Sequence, residues 1–446
     1  MNTICRGLLF FALISTQILP AQQLRYEISP DFQPDGAALQ VCLQFVGDAD
    51  GETEIALPGD YGSATKLFRA IRDLRCVPSD CQLAIGGDSL TATIRHRPAQ
   101  NLRLSYVVQQ DFPGAEPTSE TAFRPIIQPD FFHVLGSTLF LVPKGREGCE
   151  VRLDWRNFPA GWALHNSFGT QETTQQFKAA SLHWLESVFI GGDFRLLKTT
   201  VRNCPVWLAL RGEAWAFSDA DLLEMLRRTV EVQRAFWHDF DIPFYTVTLM
   251  PLALESGPEG PVQYLGTGLQ NSFAAFATPV KQLDVKGLQH LFNHELMHDW
   301  LGSKIRNGGT CNDMTFGWFS EGFTEYFAYK NMLAAGFITP DEYLETLNRD
   351  FFAAHYASRV AEAPNSEIQR NFFNKSDVSQ LPYKRGCLFA FYLDNLIKTR
   401  SGGTRCLHDF MLEMLDYYYE GDKDLLTGFD FFEKNMGKYL PPGEFS

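Results

Sequence analysis

The sequence predicts an α+β protein, in which a β-rich N-terminal region precedes a mixed α/β region with a helical C-terminal part. Short segments of alternating apolar and polar residues recur from residue 22 to about 200, with Gly, Pro and Asp clusters between them. After about residue 205, longer segments with helical spacing alternate with short apolar segments. We therefore expect a β-rich domain at 22–200 and a second domain at 201–446.

The N-terminal region contains clear strand patterns. They include Leu39–Phe45, Ser89–Ile94 and Leu102–Val108, each of which alternates apolar and polar residues over several positions. One half-buried face and one solvated face produce this period. The pattern predicts an antiparallel β-sandwich-like domain, with a barrel as the alternative.

The second region begins with strand and helix patterns in alternation and then becomes mainly helical after residue 335. Ser218 or Asp219 can cap the first helix, which continues to about Asp239. The other predicted strands and helices are Val206–Leu210, Phe244–Leu249 and Gly268–Ala277 as strands, and Lys286–Leu301 and Ser320–Ala335 as helices.

The first 21 residues have the features of a secretory signal peptide. Arg6 supplies a positive charge, an apolar segment follows, and Leu19-Pro-Ala21 precedes two polar residues. The apolar segment is too short and too interrupted for a membrane anchor. We expect cleavage near Ala21, a periplasmic or secreted protein, and no stable membrane insertion after the segment is removed.

Charge and cysteine content restrict the partners and the compartment. The 446-residue chain carries a formal net charge of −14, which opposes binding to phosphate backbones and argues against nucleic acid as a partner. An even number of cysteines remains after the predicted cleavage, which suggests disulfides in an exported protein. Cys76 and Cys81 are spaced for a short loop closure.

The segment His294-Glu-Leu-Met-His298 indicates a metal site on a helix. Residues four apart lie on one face of a helix, so both imidazoles can face one ion. Zn²⁺ binds imidazole nitrogen at about 2.0–2.1 Å. Glu295 follows the first histidine, where its carboxylate can reach a water molecule at the ion and act as a base.

A catalytic zinc needs a third protein ligand and an open position. A third histidine in the longer His-Glu-x-x-His-x-x-Gly-x-x-His pattern is excluded, because Leu301 and Lys304 occupy the positions that need Gly and His. Glu321, near the start of the next predicted helix, supplies the third ligand instead. Glu325 lies one turn further on the same face and is a candidate partner for the second nitrogen of a ligand histidine. His290 shares the face of His294, and we expect it to pack or to support the ligands rather than to bind metal.

Three segments together resemble the signature blocks of the gluzincin metallopeptidases, particularly the M1 aminopeptidases and the M61 glycyl-aminopeptidase group. They are His294-Glu-Leu-Met-His-Asp-Trp-Leu-Gly302, Trp318-Phe-Ser-Glu-Gly-Phe323 and Pro382-Tyr-Lys-Arg-Gly386. The resemblance covers roughly residues 205–440 and implies a thermolysin-like catalytic domain at 201–446. It also implies that Tyr383 stabilises the tetrahedral intermediate.

Two features depart from the M1 pattern. The spacing between His298 and Glu321 is longer, which favours the M61 group or a divergent M1 branch. The segment Thr267–Asn271 resembles the strand on which M1 enzymes bind the substrate amine, but Gln270 replaces the acidic residue. An amide can accept a hydrogen bond from an ammonium group but supplies no counter-charge. The resemblance implies that Gln270 and Asn271 contact the substrate.

The sequence thus predicts a zinc metallopeptidase with one Zn²⁺ per chain and a peptide or protein substrate. Aminopeptidase-like cleavage is the leading prediction, with an endopeptidase of the same fold as the alternative. A peptide-binding scaffold without activity is a further alternative, although the base, the three ligands and Tyr383 are all present. Zinc-dependent hydrolysis of another bond, such as an epoxide, is also left open.

Overall fold

A computed structural model of the chain describes residues 23–33, 36–146, 148–170, 172–178, 182–305, 314–420, 429–441 and 443–444. The predicted signal segment and Cys311 lie outside these residues. No helix in the described ranges is both long and apolar enough to cross a membrane.

The strands are numbered along the chain. They are β1 (Gln23–Gln33), β2 (Gly36–Val46), β3 (Glu52–Ala56), β4 (Ile71–Val77), β5 (Gln82–Ile85), β6 (Thr91–Arg95), β7 (Asn101–Gln109), β8 (Ile126–Ile127), β9 (Phe131–Leu135), β10 (Val142–Pro143), β11 (Glu150–Trp155), β12 (Ala163–Asn166), β13 (Gly169–Thr170), β14 (Thr174–Lys178), β15 (Val188–Gly192), β16 (Arg195–Val201), β17 (Cys204–Leu210), β18 (Tyr245–Pro251), β19 (Tyr264–Leu269) and β20 (Ser272–Ala277).

The helices follow the same convention. They are α1 (Gly136–Leu139), α2 (Asp219–Trp237), α3 (Val285–Met297), α4 (Gly317–Ser320), α5 (Gly322–Ala334), α6 (Pro340–Thr346), α7 (Ala354–Tyr356), α8 (Asn365–Asn371), α9 (Ser376–Ser379), α10 (Leu381–Arg400), α11 (Leu407–Tyr419) and α12 (Phe429–Met436). A π-helical segment, Leu347–Ala353, connects α6 to α7. Short 3₁₀ turns occupy Leu67–Ala70, Leu182–Leu185 and Met314–Phe316.

Three sheets build the N-terminal part. A six-stranded sheet has the order β14-β11-β1-β2-β7-β4, a four-stranded sheet β10-β3-β6-β5, and a five-stranded sheet β13-β12-β15-β9-β8. Most pairs are antiparallel, but β1 and β11 are parallel. The inward faces form one apolar core, and strand β2 alternates buried and exposed positions as its sequence predicted. The predicted fold class, a β-rich N-terminal part before a mixed and helical part, is confirmed.

The second part is organised on a mixed sheet with the order β16-β17-β18-β20-β19. Strand β16 spans the predicted boundary at residue 200 and pairs with β17, so this sheet begins at Arg195. Helices α2 and α3 pack against one another, and their apolar faces share one core with the sheet and with α5, α10 and α11. The edge strand β19 pairs only with β20 in the sheet, antiparallel to it.

Polar contacts join the second sheet to the strands β9 and β12. His133 contacts the Thr248 hydroxyl at 3.0 Å, and His165 contacts the Thr246 hydroxyl at 2.7 Å. Both histidines are fully buried, and burial lowers the pKa of each to about 3. Each ring is therefore neutral at physiological pH and satisfies one hydroxyl across the interface.

Several predicted boundaries were wrong. The predicted strand Gly268–Ala277 is divided by a turn, because Asn271 takes a positive φ of 49° between β19 and β20. The predicted helix Ser320–Ala335 corresponds to α4 and α5. Helix α3 ends at Met297, four residues earlier than expected.

Disulfides were expected from the cysteine count. In the described part of the chain, six cysteines are instead free thiols, namely Cys42, Cys76, Cys81, Cys204, Cys387 and Cys406. The thiols of Cys76 and Cys81 are nevertheless in hydrogen-bond contact, and burial followed by this contact raises the pKa of Cys76. The short loop that the sequence predicted therefore brings this pair together as thiols.

Asp394 on α10 is the centre of a buried polar cluster that joins three helices. Its carboxylate accepts hydrogen bonds from Tyr326 on α5, from the Lys398 ammonium at 2.7 Å and from the Leu407 backbone N–H at 2.9 Å, at the start of α11. The Lys330 ammonium lies 3.0 Å away. Burial alone would raise the pKa of Asp394, but these partners lower it to about 2.

We expect the substitution Asp394→Asn to lower the free energy of unfolding by about 2 to 4 kcal/mol at pH 7. The folded state lowers the pKa of Asp394, so the contribution is fully present above about pH 4 and is lost as the pH falls towards about 2. The difference between wild type and variant should therefore shrink in acid. Denaturant unfolding from pH 7 down to pH 3 measures it.

Asp416→Asn on the exposed face of α11 is the matched control and should change stability by less than about 0.5 kcal/mol. An Asp394→Asn variant as stable as wild type at pH 7 would contradict the proposed role of the cluster.

Candidate metal centre and adjoining cavity

Helix α3 carries His294, His298 follows its last residue, and the helix begins at a side-chain cap. The Asp284 carboxylate accepts a hydrogen bond from the Gly287 backbone N–H at 2.9 Å. The end of the helix is anchored by Trp300, which is fully buried, stacks on Trp237 and donates to the Asp239 carboxylate at 2.8 Å. Contacts at both ends thus fix the position of α3 independently of a bound metal.

The side chains of His294, His298 and Glu321 converge. The two imidazole Nε2 atoms lie 3.2 Å apart, and a Glu321 carboxylate oxygen lies 3.3 Å from His294 Nε2 and 3.5 Å from His298 Nε2. A tetrahedral ion with bonds of about 2.0–2.1 Å holds its ligand atoms about 3.3 Å apart. The nitrogen and oxygen donors and their spacing therefore fit a zinc-sized ion.

Further contacts orient the two imidazoles. Glu325 places one carboxylate oxygen 3.1 Å from His294 Nδ1 and the other 2.9 Å from His290 Nε2. His298 Nδ1 lies 3.0 Å from the Leu301 carbonyl oxygen, to which it can donate. Both Nε2 atoms are thereby left to face Glu321, which is the arrangement that metal-binding histidines need.

The position of Glu321 depends on a close crossing of α5 and α10. A Cβ on Gly322 would collide with the Gly386 backbone, and a Cβ on Gly386 would collide with the Trp318 carbonyl oxygen. Only glycine allows the two backbones to approach this closely. The crossing brings Glu321, beside Gly322, next to Tyr383, which lies one turn before Gly386.

Tyr383 faces the same centre. Its ring lies 5.8 Å from the His294 ring between centroids, and its hydroxyl hydrogen-bonds to Glu321. Burial, together with the charges of Glu321 and Glu295, raises the pKa of Tyr383 well above its usual value. The hydroxyl is therefore protonated at any physiological pH and is able to donate a hydrogen bond.

Glu295 lies between α3 and the edge strand β19. A Cβ on Gly266 would approach the Glu295 side chain to 2.6 Å, and a Cβ on Gly268 would approach His298 Cβ to 2.5 Å. These two glycines let β19 lie directly against the helix face that carries the histidines. Burial raises the pKa of the Glu295 carboxyl, and the two histidines act in the opposite direction.

Electrostatic pairing within the cluster is strong. Burial alone would raise the pKa of Glu321, but His298 and His294 hold it well below its usual range. Burial would likewise lower the pKa of His294, but Glu321 and Glu325 raise it well above its usual value. A nearby positive charge therefore stabilises the carboxylates of Glu321 and Glu325, and a bound cation would supply such a charge.

A cavity of about 480 Å³ opens beside this cluster. Its lining comes from the edge strand, from α3 and α5, from the π-helical segment and from the start of α10. The lining residues are Tyr264, Leu265, Gly266, His290, Leu291, His294, Glu295, Glu325, Tyr329, Asp350, Phe351, Gln380, Tyr383 and Lys384. We call this space the site cavity.

Gln270 and Asn271 are not part of that lining. They form the turn between β19 and β20, where Gln270 donates its backbone N–H to the Glu186 carbonyl oxygen at 2.7 Å. The Gln270 Oε1 atom is buried and accepts no hydrogen bond from the residues that the structure describes. The strand residues that reach the site cavity lie four to six positions earlier, at Tyr264–Gly266.

Several residues of the site cavity were missed by the sequence analysis. Tyr329, one helical turn after Glu325, stacks on His290 and could have been found from helical spacing. Asp350 comes from the π-helical segment, and no short-range pattern connects it to the histidine motif. Lys384 lies inside the third block of the resemblance, in which the sequence analysis gave a role only to its neighbour Tyr383.

Comparisons with known proteins agree with this geometry. Residues 288–370 match the family model of the M61 glycyl aminopeptidases. This stretch includes His294, Glu295, His298 and Glu321 and ends before Tyr383. No curated protein sequence matches the chain.

Solved structures resemble the fold over most of the chain. One is an aminopeptidase N family protein from Idiomarina loihiensis, with a TM-score of 0.74, 17% identity, and coverage of 94% of this chain and 74% of that one. Another is a two-domain M1 zinc metallopeptidase variant bound to L-tryptophan, with a TM-score of 0.53, 15% identity, and coverage of 94% and 91%. A third is an M1 zinc metallopeptidase from Deinococcus radiodurans, with a TM-score of 0.52, 14% identity, and coverage of 94% and 89%.

The fold over most of the chain resembles that of the M1 and aminopeptidase N proteins, and residues 288–370 resemble the M61 glycyl aminopeptidases in sequence. The resemblance predicted from the sequence motifs is thereby confirmed.

Proposed function

We propose that this chain hydrolyses peptide bonds with one Zn²⁺ held by His294, His298 and Glu321. The observation that carries the proposal is the triangle of two nitrogens and one oxygen with edges of 3.2, 3.3 and 3.5 Å. Zn²⁺ accepts this donor set, and a fourth position stays open for water or substrate in catalytic sites.

The residues around the metal centre have separate roles in the proposed reaction. The chemistry that zinc supplies when bound is Lewis acidity towards water and the scissile carbonyl. Glu295 takes a proton from the attacking water and later delivers it to the leaving amine. The Tyr383 hydroxyl donates a hydrogen bond to the carbonyl oxygen as negative charge develops there. Glu325 keeps the His294 ring in the required orientation.

We propose aminopeptidase-like cleavage, in which the substrate amine is held by hydrogen bonding rather than by an acidic side chain. The peptide would lie along the free edge of β19, as an added strand. Gln270 and Asn271 lie beyond the end of that edge, outside the lining of the site cavity. The buried Gln270 Oε1 atom, which lacks a donor among the described residues, suits a substrate N–H or ammonium group.

Experiments can distinguish two alternatives to aminopeptidase-like cleavage. The first is an endopeptidase of the same fold, which the loss of an acidic group at position 270 favours. The second is a peptide-binding scaffold without activity.

We expect Glu295→Gln to retain zinc and to lose nearly all turnover, by about 10³-fold or more, because it removes only the base. His294→Ala and Glu321→Ala should lose bound zinc, because each removes a ligand. Metal analysis of the purified variants, beside a peptide digest, measures both effects.

His238→Asn at the exposed C-terminal end of α2 is the control for loss of a histidine, since Asn tolerates its left-handed backbone. It should keep both zinc and activity. Unchanged zinc in His294→Ala would refute the ligand assignment, and retained turnover in Glu295→Gln would refute the base.

Peptides that differ only in a free or an acetylated N-terminus distinguish the two modes of cleavage. We expect the free peptides to be cleaved at least about tenfold faster, because only they offer a charged ammonium group, which donates a stronger hydrogen bond to Gln270 than an acetylated amide does. Gln270→Leu should reduce this preference. Equal rates on both peptides would exclude a strict aminopeptidase and favour the endopeptidase.

We propose that the protein is exported, with residues 1–21 as a signal segment and with a β-rich domain at 22–200 before the catalytic domain at 201–446. N-terminal sequencing of the mature protein from its native host should begin near Gln22. A mature chain that starts at Met1 and stays in the cytoplasm would contradict the proposal.

A further inference from the structure

Two of the three basic side chains in the lining of the site cavity, His290 and His294, contact carboxylates. Glu325 contacts His290 at 2.9 Å and His294 at 3.1 Å. Asp350 receives two hydrogen bonds from Arg349, at 2.7 and 2.8 Å. These pairings leave neither carboxylate without a positively charged or hydrogen-bonding partner.

Lys384 is the exception. It lies on the first turn of α10, directly after Tyr383, and its half-buried side chain lines the site cavity. Across the described part of the chain, no carboxylate lies within 4.0 Å of its ammonium and no acceptor hydrogen-bonds to it. The other lysine that is partly buried near the sheet, Lys304, in contrast contacts Asp239 at 2.7 Å.

The half-buried Lys384 side chain has no counter-charge that would offset a loss of hydration at its ammonium group. Binding an anion restores that loss, and a charge-assisted hydrogen bond in a partly enclosed space is stronger than one at the surface. Gln380, which also lines the site cavity four residues earlier on the chain, offers an amide N–H₂ as a second donor.

We propose that Lys384 binds a carboxylate of the substrate, so that the site cavity selects peptides with an acidic group near the scissile bond. This inference rests on the proposed peptidase function. Lys384 adjoins Tyr383, whose hydroxyl faces the scissile carbonyl in that function. Both side chains line the site cavity of about 480 Å³, and a peptide advances about 3.3–3.6 Å per residue, so a carboxylate within one or two residues of the cleaved bond stays inside that space.

A carboxylate at that distance can come from an Asp or Glu side chain or from the C-terminus of a short peptide. Three pairs of peptides distinguish these sources, and the members of each pair differ only by acid against amide. The pairs are Glu-Ala-Ala-amide with Gln-Ala-Ala-amide, Ala-Glu-Ala-amide with Ala-Gln-Ala-amide, and Ala-Ala-Ala with Ala-Ala-Ala-amide.

The experiment measures the ratio of kcat/KM for acid over amide within each pair, using the zinc-loaded full chain. We expect at least one pair to give a ratio of about ten or more in wild type. Lys384→Met should bring that ratio close to one, and Lys384→Arg should keep most of it. The control Lys281→Met removes an exposed lysine that pairs with Glu259 far from the site cavity, and it should leave the ratio as in wild type.

Binding of the same peptides to the Glu295→Gln variant, measured by calorimetry, separates this inference from the proposed reaction. Acid-selective binding that disappears in Glu295→Gln/Lys384→Met supports the role of Lys384, even if wild type hydrolyses none of the peptides and the peptidase proposal fails. The inference about Lys384 is overturned if the acid-to-amide ratio of kcat/KM or of affinity is near one in every pair. It is also overturned if a preference for the acid peptide survives Lys384→Met.

Discussion

The backbone contact between Gly322 and Gly386 is the constraint on which the metal centre depends. Glu321 precedes the first glycine, and Tyr383 lies one turn before the second, so one crossing of helices positions a ligand and a hydrogen-bond donor together. Any side chain at either glycine would separate α5 from α10 by the width of a methyl group or more. An ångström of displacement is enough to spoil ligand geometry or to weaken a catalytic hydrogen bond.

Charge balance is the second constraint. The carboxylates of Glu295 and Glu325 are more than nine-tenths buried, and Glu321 is partly buried between His294 and His298. Buried carboxylates are tolerated only when positive charge or several donors face them. His290 neutralises one side of Glu325, and a bound divalent cation would neutralise Glu321. The stability of the core and the affinity for metal are therefore linked, since ion binding to the folded state alone stabilises it.

The sequence predicted the features that depend on local spacing. The period of four in His294 and His298, the Ser218 cap of α2 and the alternation in β2 are each encoded within one element. Features that depend on how distant segments meet were not predictable. The parallel pairing of β1 with β11, the start of the second sheet at β16, and the site cavity with Lys384 all arise from tertiary packing.

The segment around Gln270 resembles the M1 strand that binds the substrate amine, and its role in substrate binding stays a prediction. The positive φ of Asn271 turns the chain there, and β19 ends at Leu269. The part of the strand that meets the helix is the glycine pair at 266 and 268, where the absence of side chains lets two backbones approach. Glycines at those positions offer a substrate no side chains, so side-chain contacts near the metal centre must come from the other walls of the site cavity. Among the basic side chains in those walls, His290 and His294 contact carboxylates, and Lys384 contacts none among the described residues.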